Sequence, residues 1–192
     1  MDAKIQDFFS NDSFCFEEKA AYLQYSYPIY TANKEQIGTI KEVVPSLLKV
    51  LSVFLNRAFF PFKLDIANND EQTLVSVKRG WTLLKSKIEV LDSEGNAIAF
   101  ITQGFKGLKS NFTIVDSHKN ILALISGEAK AKKYAVLDAK NRQIGAITKD
   151  WAGILKEVFK KSDKYALIFN PDLPAATEKI AIVAMAVAID LV

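Results

Sequence analysis

The sequence predicts a mainly β chain: a closed or nearly closed barrel of hairpins around one apolar helix at the C-terminus. Two observations carry this, the composition of the last segment and a repeat. After Glu178 and Lys179 the chain is uncharged from Ile180 to Ile189, apolar on every side of a helix, until Asp190. A helix without a polar face is buried either in protein or in lipid. Crossing a bilayer takes about 20 apolar residues. The run is too short for that, so a core helix is expected.

The repeat supplies the walls. Segments 27–40, 88–101, 112–125 and 134–147 each open on an aromatic residue or Ile (Tyr27, Ile88, Phe112, Tyr134). Ile or Val follows two positions later, then a turn residue (Thr31, Asp92, Asp116, Asp138). Each ends with a small residue (Gly38, Ala99, Ala123, Gly145) two positions before an Ile (Ile40, Ile101, Ile125, Ile147). Period-two β-branched and aromatic residues around Asp, Ser, Asn and Gly make a β-hairpin. Asp suits the turn because its side chain bonds the backbone of its own turn. A looser fifth copy spans 62–77, with Asn68, Asn69 and Asp70 in its turn. Spacing between the turn aspartates is too uneven for a solenoid and fits a meander of hairpins. If the small residues face inward, they leave room for a helix about 10 Å across. Ala181, Ala184, Ala186 and Ala188 then do the same from the helix side.

The remaining elements follow from local pattern. Residues 45–55 carry Leu47, Leu48, Leu51, Phe54 and Leu55 at helical spacing after Pro45, which suits a first turn. This predicts a short helix near 45–56, either packed on the barrel or dipping into a membrane interface through Leu47, Leu48, Leu51 and Phe54. Gly104 and Gly107 are read as turn or bulge positions. With 192 residues, 49% of them hydrophobic, and no Pro/Gly/Ser-rich linker, the chain is expected to be one domain, 1–192. The single cysteine, Cys15, allows no internal disulfide and points to a reducing, cytoplasmic compartment. The N-terminus shows no signal-peptide pattern.

Two segments resemble the phospholipid scramblase family and its LURP-one-related relatives, which share the Tubby-like fold. One runs from Arg57 through Trp81 to Asp92. The other joins Trp151, Gly153, Lys156, Glu157 and Phe159 to Phe169, Asp172 and Leu173 and then to the apolar helix. The resemblance extends over about residues 20 to 192. It implies a twelve-stranded barrel with the C-terminal helix through its centre, in agreement with the residue pattern. Where animal scramblases carry an Asp-rich calcium segment, this chain has Lys160-Lys161-Ser162-Asp163. Calcium takes six to eight oxygens, several from carboxylates, so Ser162 and Asp163 form a degenerate site, and no metal or other cofactor is expected. The stretch corresponding to the acylated cysteine cluster, Thr82 to Lys87, has no cysteine.

Charge suggests a partner. Lys130, Lys132, Lys133, Lys156, Lys160, Lys161 and Lys164 concentrate between 128 and 164, in a chain of net charge +3. A basic face beside apolar surface attracts anionic lipid at about 1 kcal/mol per Lys or Arg. The same charges would hold nucleic acid only without sequence preference. With the resemblance, these lysines become candidates for phospholipid or phosphoinositide headgroups, on a protein peripheral to the inner face of the membrane. The rival reading is a scaffold whose loops bind an unidentified protein partner, with no lipid role. Trp81 and Trp151 are expected in the core or at the barrel rim. Catalysis finds little support. The one histidine, His118, shares a predicted solvated turn with Asp116, and neither a metal-ligand spacing nor a nucleophile elbow is present. The expected protein is not an enzyme.

Overall fold

A computed structural model of the chain describes residues 3–17, 19–21, 24–43, 61–81, 87–106, 109–128, 133–148, 164–170 and 176–189. The helix expected near 45–56 lies outside them. After α1 (Ala3–Phe9) come β1 (Ser13–Glu17) and β2 (Lys19–Ala21), then five hairpins. These are β3 (Gln24–Tyr30) with β4 (Gln36–Glu42), β5 (Phe62–Asn68) with β6 (Thr73–Arg79), and β7 (Lys87–Asp92) with β8 (Ala97–Lys106). β9 (Lys109–Asp116) with β10 (Ile121–Glu128) and β11 (Lys133–Leu137) with β12 (Gln143–Thr148) complete them. β13 (Lys164–Phe169) and α2 (Ala176–Ala188) follow.

One turn is built five times. Oδ1 of Asp92, Asp116 and Asp138 accepts the backbone N–H groups two and four residues on, at 2.8–3.0 Å. Asn68 does the same toward Asp70 and Gln72 in the fifth copy, and Thr31 Oγ1 accepts the Asn33 N–H. The residue three after each acceptor has positive φ: Lys34, Glu71, Gly95, Lys119 and Asn141. This is a tight turn followed by a left-handed residue, closing on a one-residue bulge. The strand register shifts at that point in every hairpin.

The barrel closes through β1, which pairs with β13 on one edge and with β3 on the other. β2 continues along the same edge of β3 without a change of register, so β1 and β2 form one line. The result is a closed antiparallel ring of twelve strands. Twelve strands enclose more space than wall side chains can fill, and α2 occupies it. Residues Ile180 to Met185 of α2 are all 0% exposed.

The repeat positions form the layers facing that helix. Ile88 pairs with Ile101 and Val90 with Ala99; Phe112 with Ile125 and Ile114 with Ala123; Tyr134 with Ile147 and Val136 with Gly145. All are buried, so the small residues and the closing isoleucines do face inward. The space they leave is used in two ways. α2 packs most closely on β6, β8, β10 and β13, two of which carry Ala99 and Ala123. The glycines serve other neighbours. A Cβ on Gly38 would strike the Ala67 carbonyl and the Phe8 ring, and one on Gly145 the Ile168 carbonyl. Gly104 departs from expectation: it pairs with Asn111 in unbroken register, with open space beside it, and marks neither turn nor bulge.

Candidate functional site

Because successive strands alternate in direction, all five tight turns fall at one end of the barrel. The chain leaves β4, β6, β8, β10 and β12 at the opposite end. These two ends are chemically different.

At the turn end α1 lies across the mouth. Ile5, Phe8 and Phe9 are buried there, with the Phe8 and Phe9 rings 4.9 Å apart and Phe14 6.1 Å from each. Lys4 reaches the turn after β5, 3.1 Å from Gln72 Oε1 and 4.0 Å from Asp70. α2 contributes Lys179, whose side chain is 10% exposed. Its ammonium donates to Asp12 Oδ1 at 2.8 Å and to the carbonyls of Ser10 and Asn11 at 3.2 and 3.4 Å. A cation in the first turns of a helix opposes the helix dipole. Here it is compensated by the carbonyls that end α1, so a single side chain ties the stopper to the central helix. The sequence places Lys179 just before the apolar run, but nothing local to it indicates Asp12 as its partner.

His118 is exposed in its turn, and its backbone N–H, not its ring, meets Asp116 Oδ1 at 2.8 Å. The side-chain amide of Asn120 holds Asp116 below the usual carboxylate range, with backbone N–H groups adding to the effect. That carboxylate is occupied in shaping the turn, as expected from the sequence. Among the described residues no group of three or more His, Cys, Asp or Glu could hold a metal ion.

The opposite end is basic. Lys41, Lys63, Lys78, Arg79, Lys87 and Lys133 all lie in the halves of their strands nearer that end. They outnumber the Glu42 and Glu89 found there. Lys63 and Lys78 are direct cross-strand partners, a like-charge pairing that is destabilising in a sheet. Asp65 neutralises Lys63 at 3.1 Å, whereas exposed Lys78 has no ion-pair partner among the described residues. Arg79 points inward at the rim, 3% exposed, with its guanidinium 4.7 Å from the Phe62 ring centroid. Desolvation lowers its pKa. Just beyond β6, Trp81 is 68% exposed and is therefore a rim residue; Val43, after β4, is 47% exposed.

Of the lysines singled out from the sequence, Lys133 and Lys164 open β11 and β13 at this basic end. Lys130, Lys132, Lys156, Lys160 and Lys161 lie outside the described residues, as do Leu47, Leu48, Leu51, Phe54, Trp151, Ser162 and Asp163. The strand ends flanking all of them belong to the basic end. Lys63, Lys78 and Arg79 were missed by sequence reasoning, because alternate residues of different strands join one rim only once the register is known.

A closed twelve-stranded antiparallel barrel threaded by an apolar C-terminal helix defines the Tubby-like class. A family model described as Scramblase matches residues 27–192, and the chain belongs to that family. Among solved structures, an X-ray structure of an Arabidopsis thaliana protein superposes with a TM-score of 0.51 at 9% identity. The match covers 93% of this chain and 91% of that one, a likeness of fold alone. No curated protein matches the sequence. Among the described residues no helix is long and apolar enough to cross a membrane.

Proposed function

We propose that this scramblase-family domain is a peripheral, non-catalytic binder of anionic membrane surfaces on the cytoplasmic side, docking by the basic end of its barrel. The segregation of charge along the barrel axis carries this reading. One end carries the lysines and an exposed indole, while on the turns of the other Glu35, Asp70, Glu71, Asp92, Glu94, Asp116 and Asp138 outnumber Lys34, Lys119, Lys140 and Arg142. An anionic surface attracts the first end and repels the second. Each Lys or Arg brought close contributes about 1 kcal/mol, and an indole favours the water–lipid boundary. The ligands are phospholipid or phosphoinositide headgroups. Lys130, Lys132, Lys156, Lys160 and Lys161 add to the same end if they follow their flanking strands.

Calcium is not required on this reading, because Lys160-Lys161-Ser162-Asp163 offers one carboxylate beside two cations. The barrel interior does not carry lipid across a bilayer either. Between Arg79 at one rim and Lys179 near the other, its described lumen is apolar and filled by α2, leaving no polar path for a headgroup. Withdrawing that helix would expose the whole lumen at about 25 cal/mol per Å² of apolar surface.

Sedimentation with neutral and anionic liposomes, at low and physiological salt, tests the proposal. Binding restricted to anionic vesicles and weakened by salt is expected. Lys63→Glu with Lys78→Glu should reduce it, and Lys119→Glu with Lys140→Glu, an equal charge change at the turn end, should not. No binding at low salt would leave the protein-binding scaffold as the function.

A further inference from the structure

Trp81 is the most exposed of the large apolar side chains among the described residues, at 68%, ahead of Val43 and Ile121. Trp81 and Val43 belong to the basic end and stand on either side of β5. The Val43 N–H donates to the Lys63 carbonyl at 2.7 Å, and Arg79, two residues before Trp81, pairs with Phe62. Side chains alternate along the end of β6. Lys78 is exposed on the outer face, Arg79 turns inward over the Phe62 ring, and Gly80 returns to the outer face. A Cβ on Gly80 would meet nothing within 4 Å, and its φ is not left-handed. Neither packing nor backbone conformation calls for glycine there. Such a glycine suits close approach to the backbone from outside.

The spacing of these apolar side chains selects a membrane over a protein. Protein interfaces concentrate affinity in a packed centre. Here the indole and Val43 stand apart, and beside them on β5 to β7 the outward residues are Lys63, Lys78 and Lys87 with Asp65 and Glu89. A fluid interface accepts separated anchors. It takes amphipathic rings at headgroup level, while lysines lay their stems on apolar surface and keep their ammonium groups among phosphates. We infer that Trp81 enters the membrane: the barrel docks tilted, by the β4–β6 corner of its basic end, with the indole at the boundary between headgroups and acyl chains. The inference rests on the membrane reading above and adds to it an apolar component that salt does not screen.

Intrinsic fluorescence of the full chain tests this, with vesicles of phosphatidylcholine and phosphatidylserine whose acyl chains are brominated near the headgroup. Sedimentation of the same mixtures runs beside it. Wild-type emission should shift to the blue and be quenched. Trp81→Phe should lose most of both changes, separating the response of this indole from that of Trp151. Trp81→Ala should lower partitioning about tenfold, and the binding it retains should disappear at physiological salt. Gly80→Glu, which fills open space beside the indole, should weaken binding without lowering the melting temperature. Quenching that persists in Trp81→Phe, or partitioning indifferent to Trp81→Ala, would overturn the insertion and leave a purely electrostatic contact. Wild type that fails to sediment with these vesicles at low salt would overturn the membrane reading and the insertion with it.

Discussion

The two ends of the barrel are made by different means. At the turn end, one local device recurs: a side-chain oxygen accepts backbone N–H groups of its own turn, and a left-handed residue closes the loop. At the other end no such device recurs among the described residues. Its character comes from residues of many strands, such as Lys63, Lys78, Lys87 and Trp81, brought to one rim by the register. Local chemistry therefore fixes the closed end, and tertiary structure composes the end that carries the proposed binding surface. If so, damage at one end should leave the other working, while damage to the shared helix should destroy both.

The largest effect is expected where the two ends depend on a single element. Ala184 is 0% exposed at the middle of α2. Ala184→Asp would place a carboxylate in the lumen with neither water nor a counter-ion. Destabilisation of at least about 4 kcal/mol is expected, enough to prevent folding. Circular dichroism and solubility on expression would check this; a folded variant would show that α2 is not the core on which the wall closes.

A smaller loss separates the stopper from the rest. Lys179→Met keeps the volume of the side chain but leaves the Ser10 and Asn11 carbonyls and Asp12 without their cation. About 1–3 kcal/mol should be lost, read by denaturant unfolding, with proteolysis near residues 10–12 accelerated. Liposome binding should be unchanged, because the basic rim lies at the opposite end.

How much of this was legible in the sequence follows the same division. The hairpins, their turn residues and the inward face of Ala99, Ala123 and the closing isoleucines depend on neighbours within about fourteen positions, and the repeat displays them. Closure through β1 is not visible there, because Phe14 and Phe16 find Leu167 and Tyr165 across nearly the full chain length. The purpose of Gly38 was also hidden. The sequence suggests room for a helix, whereas the crowding comes from the Ala67 carbonyl of the next strand and Phe8 of the stopper. For the candidate site, clustering along the sequence highlighted residues 128–164. The register adds Lys63, Lys78 and Arg79, which no linear clustering could select.

Within the turn end, Asn68 offers a finer test. Its Oδ1 accepts from Asp70 and Gln72 at 3.1 and 3.0 Å. Asn68→Ala removes both bonds from an exposed turn where water can partly replace them, so about 1 kcal/mol is expected. Thermal unfolding would measure it. A loss as large as that from Lys179→Met would mean that this turn also anchors α1, through Lys4 and its contacts with Gln72 and Asp70.

The smallest effect concerns acid. The same turn is built with titratable acceptors at Asp92, Asp116 and Asp138 and with neutral ones at Thr31 and Asn68. All three aspartates sit below the ordinary carboxylate pKa. At Asp92 desolvation pulls upward, but the backbone and side-chain N–H groups of Asn96 outweigh it. The Asn120 amide dominates at Asp116, and the Arg142 backbone N–H, opposed by desolvation, at Asp138. A carboxyl whose folded pKa is depressed contributes stability that is fully present above its unfolded pKa, about 3.9 for Asp. That contribution is lost as pH falls through the lower folded value. The melting temperature of the wild type should therefore decline as pH drops below about 4. A variant carrying Asp92→Asn, Asp116→Asn and Asp138→Asn should start lower at neutral pH and decline less. Equal slopes for the two proteins would place the acid sensitivity outside these three turns and show that the hairpins of the turn end are indifferent to acid.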